Sequence, residues 1–238
     1  MTPTAPRPLR RGGHVLLGEP PALRTPEGRF LRLHQVPDGR GRDLRRYLGR
    51  VGDVLAERER AAAATRWPVG RRRIAVPGRD RLSRLLAAEL RRSGAEVCTD
   101  GADLVLDVRD APRDDDRWPH SATPVLRGHR EGEQFHLLPL VLDGSEPTPD
   151  QVRRRRLAAA PAAPELAAWL AAPVRTRPLR APLRAVAAAR CLTVLADWAA
   201  DAPEVAAHRR TLWILEPDLR AHAHTVLGFD EPAPREPA

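Results

Sequence analysis

The sequence predicts an α/β protein, a doubly wound domain preceded by a small sheet-and-helix module. Two observations predict the main domain. Residues 73–108 read strand, helix, strand, strand, and residues 183–198 trace a long apolar helical face. A third observation sets off the module: Arg66-Trp-Pro-Val-Gly-Arg-Arg-Arg73 reads as a boundary, with two short strands and one helix ahead of it.

Residues 1–13 are Pro-rich and basic and are expected to be disordered. His14-Val-Leu-Leu-Gly18 is an apolar run ended by Gly18-Glu-Pro-Pro21, a strand and a turn. Thr25-Pro-Glu-Gly28 is a second turn signal before a strand over residues 29–34, in which Leu31 and Leu33 share one face. After Pro37-Asp-Gly-Arg-Gly41 the period becomes helical. Leu44, Tyr47, Leu48, Val51, Val54 and Leu55 recur at helical spacing, with Arg42, Arg46 and Arg50 as a basic stripe beside them. This helix is expected to fade over residues 57–65. The module is placed at residues 14–66.

The main domain is placed at residues 71–230. Arg73-Ile-Ala-Val76 is its first strand and Pro77-Gly-Arg-Asp80 a tight turn. Leu82, Leu85, Leu86 and Leu90 mark an amphipathic helix closing at Ser93-Gly94. Ala95-Glu-Val-Cys98 is the second strand, and residues 102–108 a third, apolar enough for the middle of a sheet. Residues 109–120 are a polar loop carrying Asp114-Asp-Asp116. Residues 123–127 and 135–142 read as strands around a turn at residues 128–132. Thr148-Pro-Asp-Gln151 is a helix start, with Thr at the cap, Pro at the first position and Gln three residues on. A helix over residues 164–171 and a Pro- and Arg-rich connector over 175–182 precede the long helical face. That face comprises Leu183, Val186, Ala187, Cys191, Val194, Leu195 and Trp198. Strands over residues 211–215 and 223–227 flank the Pro217-Asp218 turn, and residues 231–238 are expected to be a disordered tail.

Composition narrows the functional classes. The 238 residues are 42% hydrophobic and 30% charged, which is globular rather than disordered. No run of ~18 apolar residues is present to cross a membrane. The first residues lack the apolar core of a secretory signal, and the two cysteines make no disulfide framework, so a cytoplasmic protein is expected. The net charge of +9 invites an anionic partner. The chain has no Lys and no Asn, only two Ile, and abundant Arg, Ala, Pro and Gly. That is the mark of GC-rich codons, so part of the Arg excess reflects coding bias.

Few residues promise chemistry. The turn Val76-Pro-Gly-Arg-Asp-Arg-Leu-Ser83 stands where a dinucleotide or ATP phosphate needs G-x-G-x-x-G. It has one glycine, Gly78, and Asp80 adds an unfavourable charge, so a plain strand–helix turn is expected. His129-Arg-Glu-Gly-Glu-Gln-Phe-His136 gathers two His and two Glu, but its spacing matches no standard zinc site. A hairpin turn with polar rims is expected there, and no metal. Asp114–Asp116 and the His222/His224 pair read as surface groups. Arg153–Arg156 sweeps around a helix axis instead of forming one face, so one or two of the four should pair with acidic neighbours. Cys98 and Cys191 read as inert core thiols.

Four pieces in order then carry a resemblance: residues 73–108, residues 123–144 (Thr-Pro-Val-Leu-Arg, then Leu-Leu-Pro-Leu-Val-Leu-Asp-Gly), residues 181–200, and residues 209–227 (Arg-Arg-Thr-Leu-Trp-Ile-Leu-Glu-Pro-Asp, ending His-Thr-Val-Leu). Together they resemble the degenerate ThiF-type proteins of azole- and thiopeptide-forming peptide clusters in actinobacteria. The resemblance implies a Rossmann-like domain preceded by a winged-helix-like peptide-recognition module. It implies a non-catalytic role: binding the leader of a precursor peptide and presenting it to a YcaO-type cyclodehydratase. In that family cysteines build a zinc site. Here Ser145-Glu-Pro-Thr-Pro-Asp150 and Phe229-Asp-Glu-Pro232 stand in their place, so neither that zinc nor any cofactor is expected. Arg29, Leu31, Leu33, Arg42, Arg46 and Arg50 are the expected peptide-binding residues, a strand edge beside a basic stripe suited to an acidic leader. A nucleic-acid-binding protein, which lacks any recognisable reading motif here, and a diverged nucleotide-dependent adenylyltransferase or oxidoreductase remain as alternatives.

Overall fold

The computed structural model of the chain describes residues 10–11, 14–17, 22–24, 30–34, 36, 42–109, 123–143, 147–171 and 178–229. Of the ends expected to be disordered, 1–13 and 231–238, the described residues include Arg10–Arg11 alone; the rest, and the loop holding Asp114–Asp116, lie outside them. The chain divides into two compact units, Met1–Ala62 and Ala63–Ala238.

The first unit is an antiparallel meander of four short strands, β1 (Arg10–Arg11), β2 (His14–Leu17), β3 (Ala22–Arg24) and β4 (Phe30–Arg32), followed by helix α1 (Arg42–Arg66). Two strands more than the sequence predicts are present. Arg10–Arg11 pairs with β2 rather than belonging to a frayed terminus, and Ala22–Arg24 is too short to stand out between two turn signals. Helix α1 does not fade over residues 57–65 but runs to Arg66, because its Ala-, Glu- and Arg-rich second half has high helix propensity. Leu55 is buried while Val54, one position along the same turn, is 56% exposed, so the apolar face is narrower than its spacing predicts.

The second unit is built on a seven-stranded sheet ordered β11-β10-β9-β8-β7-β5-β6. Its parallel part is β5 (Arg73–Ala75), helix α2 (Arg81–Ser93), β6 (Glu96–Cys98) and β7 (Leu104–Arg109), with β8 (Val125–Glu131) parallel to β7. Strand β9 (Gln134–Leu137), β10 (Thr211–Leu215) and β11 (Ala221–Thr225) then continue the sheet antiparallel. The fold is therefore α/β with a mixed sheet and not doubly wound throughout. Only two residues separate β8 from β9, far fewer than the dozen or so a parallel crossover needs. Strand β11 lies two residues earlier than the sequence predicts.

Two positions explain how the hairpin forms. Gly132, at φ +61°, opens a two-residue turn, as a hairpin of this length requires. Gly128 lies within β8 rather than in the predicted turn: a Cβ there would stand 2.5 Å from Cζ of Phe135. The missing side chain makes room for that ring, which is fully buried.

One face of this sheet is covered by α2 and by α5 (Ala181–Ala200), whose Leu183, Ala187, Cys191, Val194, Leu195 and Trp198 are all buried with Leu82, Leu86 and Leu90 of α2. Helix α3 (Pro149–Ala159) serves the other face, where Val152 packs with Leu212 and Val226. Its start is the predicted capping box. Thr148 Oγ1 accepts from the Gln151 amide at 3.2 Å, and Gln151 Oε1 accepts from the Thr148 amide at 3.1 Å. Helix α4 (Ala163–Ala171) and the short α6 (Val205–His208), which no apolar period announces, complete the unit.

Substituting Gly128→Ala should lower stability by about 1–3 kcal/mol, the usual cost of forcing volume into a packed core. Most of that loss should return in Gly128→Ala/Phe135→Leu. Chemical denaturation of both variants checks this, and equal stability of Gly128→Ala and wild type would contradict it.

Candidate functional site

In a sheet of this topology ligands bind outside the carboxyl ends of the strands, where neighbours of one strand leave in opposite directions. Here that point is the start of α2, since β5 continues through α2 to β6 on one side and pairs with β7 on the other. A cavity of about 260 Å³ lies there. Arg81 and Arg84 of α2, Arg109 at the end of β7, Arg130 of β8 and Arg184 of α5 line it, with Asp80, Val108 and Leu179.

The local sequence shapes its floor. Gly78 cannot be replaced without movement, because a Cβ would come within 2.1 Å of Ser83 Oγ and 2.9 Å of the Val108 carbonyl oxygen. Asp80 is the N-cap of α2. Its Oδ1 accepts from the amides of Leu82 at 2.6 Å and Ser83 at 3.1 Å, and its Oδ2 from the Ser83 hydroxyl at 2.7 Å. The helix start that would hold a phosphate is thus occupied by the chain's own carboxylate. Arg109 is turned onto Asp107, with contacts of 2.7 and 2.6 Å. Arg184 donates to the Leu179 carbonyl at 3.2 Å.

The predicted peptide-binding residues fall in the first unit. Strand β4 ends its sheet, pairing with β3 through Leu31 opposite Leu23. Leu31 and Leu33 are half-buried while Phe30, Arg32 and His34 are exposed, so the strand presents two distinct faces. Phe30, 61% exposed, is an apolar ring on the outward face that reading from charge overlooked; its place beside Arg29 was the available signal. Arg46 and Arg50 are exposed on α1 one turn apart, and Arg42 begins that helix. Tyr47 Oη donates to the His34 carbonyl at 3.0 Å, tying α1 to the stretch after β4. Arg29 lies outside the described residues.

The His129–His136 segment is not a pair of loose polar rims. Strand register sets His129 opposite His136 and Glu131 opposite Gln134. Glu131 accepts from His129 Nε2 at 2.7 Å and from both terminal nitrogens of Arg156, on α3, at 2.6 and 2.5 Å. Burial by itself would raise the Glu131 carboxyl, but the hydrogen bonds from His129 and Arg156 outweigh it and hold the group well below its ordinary value. Desolvation lowers His136 to about 3 against the pull of Glu131, so its ring is neutral at neutral pH. The run Arg153–Arg156 is likewise spent locally. Arg153 and Arg154 reach Asp150 at 2.9 and 2.6 Å, and the Arg155 guanidinium lies 5.2 Å from the centre of the Phe229 ring. Cys191 is fully buried, with its thiol pushed up to about 12 by desolvation, and Cys98 is half-buried in β6. His222 and His224 are exposed on β11.

Neither a protein-family model nor a curated protein sequence matches the chain. Solved structures do. A heterocyclase in complex with substrate and cofactor matches with a TM-score of 0.53 at 15% identity, over 90% of this chain. The chain spans 36% of that heterocyclase's length. The E. coli microcin synthetase McbBCD complex contains a chain matching at 0.50 and 9% identity, covering 95% of this chain and 97% of that one. E. coli MccB, crystallised with selenomethionine MccA, matches at 0.50 and 11% identity over 83% and 74%. What is shared is the fold. No helix among the described residues is long and apolar enough to cross a membrane.

The buried polar network makes a pH prediction. The folded-state value of His136, about 3, lies below its free value of 6.5, so the unfolded chain binds the extra proton between them. Stability should be full above pH 6.5 and fall as pH drops, by up to about 1.4 kcal/mol per pH unit from this group. Glu131, also depressed, adds to the loss below pH 4.5. Urea titrations between those two values should show a shallower dependence in His136→Phe; an unchanged slope would contradict the assignment.

Proposed function

We propose that this protein binds the leader of a ribosomally made precursor peptide and delivers it to a separate YcaO-type cyclodehydratase in azole or thiopeptide formation, with no chemistry of its own. The observation that carries the reading is the shared fold with heterocyclase and microcin synthetase chains, combined with a phosphate turn whose helix start is taken by Asp80. The ThiF-like ancestry fits the strand order β6-β5-β7 around α2. MccB was crystallised with MccA, and the heterocyclase with its substrate, which supports a peptide partner for a chain of this fold.

In this reading the leader adds a strand along the edge of β4 that pairs with no other strand among the described residues. Main-chain hydrogen bonds supply affinity, and contacts with Leu31, Leu33 and Phe30 supply selectivity. Arg29, Arg42, Arg46 and Arg50 attract an acidic leader. Arg46 and Arg50 are exposed, and charges so placed act mainly on association and fade with salt. A meander of four strands and one helix is a reduced form of the winged-helix-like module.

A diverged nucleotide-dependent enzyme is the second reading, and one observation favours it: the cleft keeps a cavity lined by five arginines. Against it, a phosphate at the α2 start must displace a carboxylate that already accepts three hydrogen bonds.

Two measurements separate the readings. Fluorescence titration with the cluster's own leader peptide should give saturable binding, weakened in Arg42→Ala/Arg46→Ala/Arg50→Ala at low salt and converging with wild type at high salt. Unchanged low-salt affinity in the folded triple variant removes the stripe from the site. Calorimetry with ATP should show no micromolar binding, and such binding would favour the second reading.

A further inference from the structure

The β8–β9 hairpin brings together three donors that the function above does not use. Because β8 and β9 are joined by two residues, side chains alternate in step. His129 and Glu131 on one strand and Gln134 and His136 on the other share the face opposite Phe135 and Leu137. The two imidazoles stack with centres 5.5 Å apart and planes 8° from parallel. Both rings turn Nε2 toward the same carboxylate, His129 at 2.7 Å from Oε1 and His136 at 3.6 Å from Oε2 of Glu131.

These atoms all lie within 4.8 Å of one another. A tetrahedral zinc with bonds of about 2.0–2.1 Å holds its ligand atoms roughly 3.3 Å apart, between the two separations just given. The side chains are 13%, 10% and 2% exposed for His129, Glu131 and His136, so the ligands themselves hold few waters, and an entering ion exchanges its own hydration shell for them. The donor set is also selective. Two imidazole nitrogens and one carboxylate suit zinc and its neighbours, while calcium and magnesium need oxygen ligands.

We propose that His129, Glu131 and His136 form a site for one zinc-type divalent cation, with a fourth position left for water or a partner's ligand.

Two neighbours qualify the site. His136 Nε2 is 3.3 Å from Gln134 Oε1, and the Gln134 amide nitrogen is held by both oxygens of Glu216 at 2.9 and 2.8 Å. Without metal, that contact favours a proton on Nε2. Metal binding needs the other tautomer, with the proton on Nδ1. The buried Nδ1 has no hydrogen-bond partner, so the tautomer change leaves a buried N–H without an acceptor, a cost that the metal bond has to outweigh. Arg156 is the competitor. Its guanidinium neutralises Glu131 through both oxygens in the metal-free protein, and a dication arriving on that carboxylate repels it. Metal and guanidinium therefore contend for one carboxylate, and affinity is set by how far Arg156 yields.

The test uses the full-length protein, stripped with chelator and titrated with cobalt(II) and then zinc(II). Wild type should take up one equivalent of cobalt, develop the visible absorption of a four-coordinate ion, and lose it to zinc. His129→Gln, which keeps a donor toward Glu131, should lose that equivalent. The weakening should be no smaller than the roughly 10–100-fold that loss of a mere supporting residue costs. Arg156→Met should bind more tightly than wild type, the opposite of what a purely structural arginine does. No four-coordinate spectrum in wild type, or equal uptake by His129→Gln, overturns the site. Should Arg156→Met fail to fold, the wild-type spectrum and the His129→Gln comparison still decide.

Discussion

The carboxylate of Asp80, resting on the first amides of α2, is the interaction on which the functional account turns. Open helix starts attract anions because their amides lack partners and the aligned peptide dipoles favour negative charge. Asp80 satisfies both demands from within the chain, and its second oxygen holds the Ser83 hydroxyl. The same residues fix the turn: Gly78 must lack a side chain because Ser83 and the Val108 carbonyl fill the space. The helix start that a phosphate would need is thus spent on capping by Asp80. Arginines remain around it, though Arg109 is already paired with Asp107.

A second constraint is the change from parallel to antiparallel pairing at β8. Strand β8 is parallel to β7 on one edge and antiparallel to β9 on the other, and its alternating side chains give its two faces different roles. Arg130 looks to the cleft. His129 and Glu131 look the other way, where α3 supplies Arg156 and so ties that helix to the sheet. Breaking such a half-buried pair by removing one partner strands the other, which makes the network a structural fixture whether or not a cation joins it.

The elements most legible in the sequence were those with local causes. The capping box at Thr148, the leucines of α2 and the apolar face of α5 each rest on spacing within one helix, and each stands where the spacing places it. Asp80 is an unfavourable charge for a phosphate turn, and its role as the cap of α2 explains why it is tolerated. What escaped depends on pairing between strands. Gly128 looks like a turn residue until the Phe135 ring, one pair along the neighbouring strand, is known to lie over it, and the turn at Gly132 is what sets His129 against His136. A hairpin turn about Gly132 is legible in the sequence; that it holds only Gly132 and Glu133, which fixes the register, is not. The antiparallel half of the sheet followed from the same short connection. Strands β1 and β3, at two and three residues, are too short for any periodicity to show.

Under the proposed function, a fold whose α2 start is capped by its own Asp80 serves through its surfaces rather than through chemistry. Tethering a precursor through its leader raises the local concentration of the core peptide at a bound enzyme toward the millimolar range of short linkers, so a weak contact there suffices. The central claim is that this chain delivers and does not react. Reconstitution tests it most directly: the cluster's cyclodehydratase, ATP and precursor peptide are combined with and without this protein, and the loss of one water per ring is followed by mass spectrometry. The account predicts ring formation only when this protein is present and the leader intact; an equal rate without it would contradict the account.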